Sequence, residues 1–181
     1  VAGLGGVGGI QAAILARFGV GNLILIDPGN FDPPDINRQY GATSSTMGKN
    51  KAECTAAMLK DINPFLEVEY HTDKPSTDLL KNLVTKSSLV VDAIDYSELQ
   101  HKVLLAKAAR SESVFNLSSP IPDFAALLMI FDPEGMTLEE FYDVPEDPLL
   151  WIDFKVGPEK FFGGRPYPQN ITDFLDGRTN Y

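Results

Sequence analysis

The chain has 181 residues, 44% apolar and 22% charged, and its 15 basic against 25 acidic side chains give a formal net charge of −10. That composition suits one well-buried globular core and excludes a collagen or a disordered acidic tail. The longest apolar runs, such as Phe124 to Phe131, stop at about eight residues where a membrane span takes roughly 20, and a lone cysteine, Cys54, excludes an intrachain disulfide and a multi-cysteine zinc site.

The chain opens at Val1-Ala2, directly before a glycine-rich turn where a strand of about five or six residues normally stands, so a segment upstream is expected. Val7, Ile10, Ile14 and Phe18 recur at helical spacing and predict a helix with that stripe buried, ended by Gly19 as a left-handed cap. Leu23 to Asp27 reads as a strand, Lys49 to Ile62 as a helix closed by Asn63-Pro64, and Val68 to His71 and Leu89 to Asp92 as further strands. Their weak alternation is that of strands covered on both faces. Ser97 and Gln100 have the spacing of a capping box, predicting a helix to about Arg110 with Leu99, Val103 and Ala106 inward. Val114 to Leu117 and Phe124 to Phe131 complete the strands, and Thr137 to Tyr142 reads as a short helix.

This rhythm predicts an α/β fold, a Rossmann-like, doubly wound and mainly parallel sheet with its ligand crevice at the C-terminal strand ends. Residues 1–135 would form the nucleotide-binding domain. Residues 136–181 would be an acidic, aromatic and irregular segment docked on it. From 141 onward lie 9 of the 18 aromatics, Trp151, Phe154, Phe161 and Phe162 among them, and residues 111–181 carry a net charge of −9. So acidic a chain disfavours duplex nucleic acid as a partner, and the single thiol fits a reducing, cytoplasmic compartment.

Gly3-Leu4-Gly5-Gly6-Val7-Gly8 carries a G-x-G-x-x-G, in which glycines let backbone N–H groups at a helix N-terminus approach a nucleotide. Asp27 ends the next strand 19 residues after Gly8, where a carboxylate can accept ribose hydroxyls. These features alone also suit an NAD(P)-dependent oxidoreductase. Three further positions do not: Asn37-Arg38-Gln39, Lys51, and Asp92-Ala93-Ile94-Asp95, which follow Asp27 at steps of 11, 13 and 44 counted through Arg38, Lys51 and Asp95.

Together these motifs resemble the ThiF/MoeB adenylyltransferase family, prokaryotic relatives of the ubiquitin-activating enzymes, over about Val1 to Phe131. The resemblance implies an ATP- and Mg²⁺-dependent enzyme that converts a substrate carboxylate, such as a carrier-protein or peptide C-terminus, into an acyl-adenylate with release of pyrophosphate. It implies a homodimer, with an arginine from a segment before the glycine loop often completing the site. Carried over, Gly3, Gly5, Gly6 and Gly8 cradle the nucleotide, Asp27 holds the ribose, Arg38 and Lys51 grip the triphosphate with Asp35 and Gln39 beside them in the nucleotide site, and Asp95 coordinates Mg²⁺ directly or through water. The family usually has a second acid where Gly29 stands, Asn where Asp35 stands and Asn or Ser where Tyr96 stands. Asp35 thus brings a negative charge toward the phosphates, and a non-catalytic nucleotide-binding scaffold is the remaining alternative. Cys54, one turn after Lys51, reads as a small buried helix residue rather than a nucleophile, and His71 and His101, with no Ser or Cys partner to place beside them, read as surface or helix-face residues.

Overall fold

The computed structural model describes residues 1–121, 126–151, 153–157 and 159–162. Ala2 occupies the middle of the sheet, bridging in parallel to Ile26 on one side and to Asp92 on the other. Its N–H donates to the Val91 carbonyl at 2.9 Å and its own carbonyl accepts from the Ala93 N–H at 2.8 Å. Around it lie β1 (Asn22–Ile26), β2 (Glu67–His71), β3 (Val90–Asp92), β4 (Asn116–Ser118) and β5 (Met129–Phe131), in the order β2, β1, Ala2, β3, β4, β5. β1 pairs with β2 and β3 with β4 in parallel, whereas β5 runs antiparallel to β4 with Ile130 opposite Leu117. The fold is therefore α/β and Rossmann-like, and its strand order reverses at Ala2, where such sheets open a crevice.

The helices are α1 (Gly6–Arg17), α2 (Lys51–Ile62), α3 (Thr77–Val84), α4 (Leu99–Ser111), α5 (Leu138–Tyr142) and α6 (Glu159–Phe162). α1 buries a different face from the one its large apolar residues suggest. Gly8, Gly9, Ala12, Ala13 and Ala16 face the core, while Ile14 and Phe18 are exposed. Small side chains let this backbone lie close to the sheet, and Leu4, Leu25 and Leu59 fill the remaining space. Gly19, at φ +82°, does follow the helix end as expected.

Other boundaries move for local reasons. α2 begins at Lys51 rather than Lys49, because the Asn50 side chain accepts from the Ala52 and Glu53 N–H groups. The Ser97 and Gln100 capping box does not form. Instead Asp95 accepts from the Ser97 N–H at 2.9 Å and starts a short 3-10 turn, Tyr96–Glu98, which runs into α4. Leu99, Val103 and Ala106 are buried on α4 as expected. α3 has no counterpart among the predicted elements, although Ser76 caps it and Leu80, Leu83 and Val84 are buried. β2 is an edge strand with most side chains outward, not covered on both faces. β4 sits two residues later than its apolar run at the start, and the run from Phe124 to Phe131 yields a strand only over Met129–Phe131, with 122–125 outside the described residues.

Beyond β5, Thr137 and Glu140 form a capping box at the start of α5. Trp151, Phe154 and Phe161 pack half-buried against a cluster of Leu99, Val103, Ala106, Leu138 and Tyr142. The Trp151 indole N–H donates to the Pro145 carbonyl at 2.7 Å. These three aromatics thus cover their own subunit; the Phe162 side chain lies outside the described residues.

One buried ion pair fastens α4 beneath the sheet. The Lys102 ammonium donates to Asp92 Oδ2 at 2.7 Å and to the Ile94 carbonyl at 3.0 Å, with the side chains 1% and 0% exposed for Lys102 and Asp92. Burial pushes the Asp92 carboxyl up, and Lys102 opposes that shift. Removing one partner strands the other charge, which costs about 3–5 kcal/mol, whereas an apolar replacement of both is often tolerated. Lys102→Met is therefore expected to lower unfolding stability in urea by about that amount, and Asp92→Leu with Lys102→Met to restore most of it. A single-variant loss under about 1 kcal/mol would show that the pair is not held charged in the core.

Candidate functional site

The ends of β1, the Ala2 segment, β3 and β4 converge on a crevice of about 950 Å³, lined among others by Gly3, Gly5, Gly6, Asp27, Asp35, Arg38, Gln39, Lys51 and Asp95. Its volume is that of a cofactor pocket. Gly8 is the one glycine of the predicted set that does not line it.

The glycines divide by what stands beside them. A Cβ at Gly8 would lie 1.8 Å from the Gly3 carbonyl oxygen, and one at Gly3, where φ is +84°, would lie 2.4 Å from the Ala93 oxygen. Both are demanded by the fold. At Gly5 and Gly6 the nearest atoms would be 3.8 and 3.6 Å away, ordinary contact distances to Gln39 and Arg38. Nothing among the described residues forbids a side chain at those two positions, which sit at the N-terminus of α1 where free N–H groups attract anions.

Asp27 accepts the Leu4 N–H on Oδ2 and the Gly29 N–H on Oδ1, both at 2.7 Å, so it ties β1 to the glycine turn. Each oxygen keeps a lone pair for a further donor. Gly29, which stands in place of an acid, contributes that backbone donor and accepts the Lys51 N–H at 2.9 Å.

Asp35 is the hub of the cationic side. It caps a 3-10 turn, Pro33–Asn37, by accepting the Asp32 N–H at 3.1 Å, and it accepts the Gln39 amide. Its Oδ2 lies 3.3 Å from Lys51 Nζ and its Oδ1 3.5 Å from the Arg38 guanidinium. Burial alone would push this carboxyl up, but the Asp32 N–H and the Lys51 ammonium outweigh it and hold Asp35 below its ordinary value. Lys51 is largely enclosed beside the Phe31 ring, while the Arg38 side chain, 58% exposed, is held by donating to the Pro34 carbonyl and to Asn37 Oδ1, both at 3.1 Å. Gln39 is buried, and its Oε1 has no partner although the residue lines the crevice.

On the opposite wall Asp95 is exposed and caps its own turn. Among the described residues no three His, Cys, Asp or Glu side chains form a ready metal cluster. Such a donor set fits a hard cation that takes most of its oxygens from phosphate and water. Tyr96 stacks edge-on with Phe161 at 5.1 Å and shares a hydrogen bond with Tyr142. Burial pushes the Tyr96 phenol up to about 12, so it stays protonated at neutral pH.

Several lining residues carry no motif signal in the sequence. Lys74 follows β2, Ser118 and Ser119 end β4, and Phe161 arrives from α6. His101 also borders the crevice, bonded at 3.0 Å to Glu98, and so is not simply a surface residue. Cys54 lies on α2 away from the lining, with its thiol pushed up by burial, and His71 is bonded to Glu69. Lys102, ten residues after Asp92 and beyond an intervening turn, lines the crevice too, and no spacing rule pairs it with that carboxylate.

The glycine division is testable. Gly8→Ala is expected to destabilise the chain by more than about 3 kcal/mol in urea unfolding, because backbone rather than a movable side chain occupies the space. Gly6→Ala should leave stability within about 0.5 kcal/mol of the parent yet weaken nucleotide binding in a titration. Equal stability losses at the two sites would refute the division.

Residues 1–150 match the model of the ThiF family. Over 68 residues the chain is 46% identical to a tRNA threonylcarbamoyladenosine dehydratase of Bacillus subtilis (strain 168), an alignment covering 38% of this chain and 27% of that protein. A SAMP-activating enzyme E1 of Haloferax volcanii is 29% identical over 159 residues, covering 88% of this chain and 54% of that one. Among solved structures, E. coli tRNA N6-threonylcarbamoyladenosine dehydratase, TcdA, in complex with ATP has a TM-score of 0.61 at 32% identity over 65% of this chain and 48% of that chain. PaaA, at 19% identity and a TM-score of 0.66 over 99% of this chain and 56% of that one, shows the shared fold alone. The chain thus spans between 27% and 54% of the length of the two curated relatives named. By the match of most of its length, the chain belongs to the ThiF family.

Proposed function

We propose that the crevice binds ATP and that the full-length protein adenylates a substrate carboxylate. The observation that carries this reading is the convergence of the glycine turn, Asp27, Arg38, Lys51 and Asp95 on one crevice. In this reading the N–H groups at the start of α1 and the Arg38 and Lys51 cations hold the triphosphate, and Asp27 accepts the ribose hydroxyls. A substrate carboxylate oxygen forms a bond to the α-phosphorus, the bond to the bridging oxygen breaks, and pyrophosphate departs with its electron pair. Charge grows on phosphate oxygens that Arg38 and Lys51 already face, so little reorganisation is needed. Asp95, with waters, would hold Mg²⁺, which supplies further positive charge to those oxygens.

The carboxylate belongs, in this proposal, to a carrier-protein or peptide C-terminus, and the protein acts as a homodimer in the cytoplasm. Relatives named as a SAMP-activating enzyme E1 and as an adenylyltransferase and sulfurtransferase support a carrier substrate. No helix among the described residues is long and apolar enough to cross a membrane. Ile14 and Phe18, left exposed by α1, offer an apolar face for a subunit contact that the C-terminal aromatics, already packed on their own subunit, do not. A dinucleotide oxidoreductase would leave Arg38, Lys51 and Asp95 without a joint role.

Thermal unfolding should therefore rise more with ATP-Mg²⁺ than with NADH at equal concentration, since only a native-state ligand stabilises. In the full-length protein Lys51→Ala and Asp95→Asn should each lower pyrophosphate exchange by about 10²- to 10³-fold while the fold stays intact. Greater stabilisation by NADH, or unchanged exchange in either variant, would overturn the assignment.

Sedimentation of the full-length protein at tens of micromolar is expected to give a dimer that Phe18→Asp or Ile14→Asp dissociates. A monomer in the parent protein would rule the stable dimer out.

A further inference from the structure

We infer that Asp35 acts as an internal counter-anion on the phosphate-binding cations and thereby makes nucleotide binding depend on the divalent cation. The inference rests on the ATP reading above and goes beyond it in saying what the Asp35 charge does in that site.

Three carboxylates near the floor of the crevice are each satisfied differently. Asp92 is matched by Lys102 in the core, and Asp27 is held by two backbone N–H groups. Asp35 differs from both in having as its charge partners the two cations assigned to the triphosphate, at 3.3 Å from Lys51 and 3.5 Å from Arg38. It cannot swing away, because its oxygens also accept the Asp32 N–H and the Gln39 amide and the residue is only 7% exposed. Lys51 is confined as well, by the Phe31 ring and by its place at the start of α2.

The two cations are therefore already compensated before any ligand arrives. Among the described residues, four cationic side chains line the crevice beside five carboxylates, so that part of the lining has no positive excess. A bare triphosphate must approach a fixed, partly buried anion, and burial strengthens that repulsion relative to water. A divalent cation on the phosphates removes most of the conflict. Asp35 thus selects the metal-bound nucleotide over the metal-free one, acting through Lys51 and Arg38 rather than on the reacting atoms.

Isothermal titration of the full-length protein with ATP, in Mg²⁺ and separately in EDTA, tests this. Asp35→Asn should bind metal-free ATP about tenfold tighter or better than the parent, with a gain of about threefold or less when Mg²⁺ is present. Asp35→Ser, which keeps a small polar side chain, should change the ratio in the same direction if the Asn amide disturbs the Asp32 contact. A merely structural role would weaken both affinities together and lower the melting temperature. A parent protein that binds metal-free ATP as tightly as Mg²⁺-ATP, or variants that bind metal-free ATP no tighter, would overturn the inference. A parent that binds no ATP in Mg²⁺ would sink the ATP reading itself, and binding of Mg²⁺-ATP with an unchanged ratio in both variants would sink only the role of Asp35.

Discussion

Between the turn that follows Ala2 and the turn that follows Asp92 there is room for backbone and nothing else. A Cβ at Gly3 would meet the Ala93 oxygen at 2.4 Å, and one at Gly8 would meet Ala93 Cβ at 2.9 Å as well as the Gly3 carbonyl. This contact sets the two strand ends side by side and aims the start of α1 at the gap between them. Asp92, one residue before this contact, is buried, and α4 supplies Lys102 as its charge partner. Crevice and helix N-terminus both border the same contact.

Electrostatics then decides what the crevice can hold. Asp27 spends its carboxylate on the turn that carries the glycines, so a shift in β1 would move the turn with it. Asp35 does the same for the cations, locking Lys51 against the first turn of α2. The site is thereby preorganised, with its charged groups held at fixed distances before a ligand enters, and preorganised charge is the form that does not need to rearrange during a reaction. The same fixity means that a charge placed at 35 acts on every ligand.

What the sequence reveals and what it conceals divide along physical lines. Turns and phosphate-facing groups are legible, Gly3 and Asp27 from backbone geometry and charge and Arg38, Lys51 and Asp95 from the family resemblance, and the structure brings them to one crevice. The βαβ order is legible too, since β1 and β3 are short runs of apolar side chains. The burial of α1 is not: periodicity rewards Ile14 and Phe18 for size, whereas the contact with the sheet selects Ala12, Ala13 and Ala16 for the lack of it. α3 escapes because its eight residues give little more than two turns of periodicity. Ser97 misleads because Asp95, two residues earlier, is a competing acceptor for its N–H. Lys102 is concealed because a lysine on a helix reads as solvated unless the carboxylate beneath it is known.

The far wall of the crevice shows the same division most sharply. Tyr96 directly follows Asp95 and is gripped from three sides, by the Lys102 ammonium 4.7 Å from its ring, by the Tyr142 hydroxyl and by the Phe161 edge. Phe161 is distant in sequence and belongs to a segment with no period, so no spacing rule could pair the two residues. Their contact packs the side chain just after Asp95 into an aromatic cluster that has no repeated spacing to announce it. The motif-bearing wall is built from neighbours in sequence and the aromatic wall from neighbours in space. A change in α6 that moved Phe161 would therefore reach Asp95 through a single intervening ring.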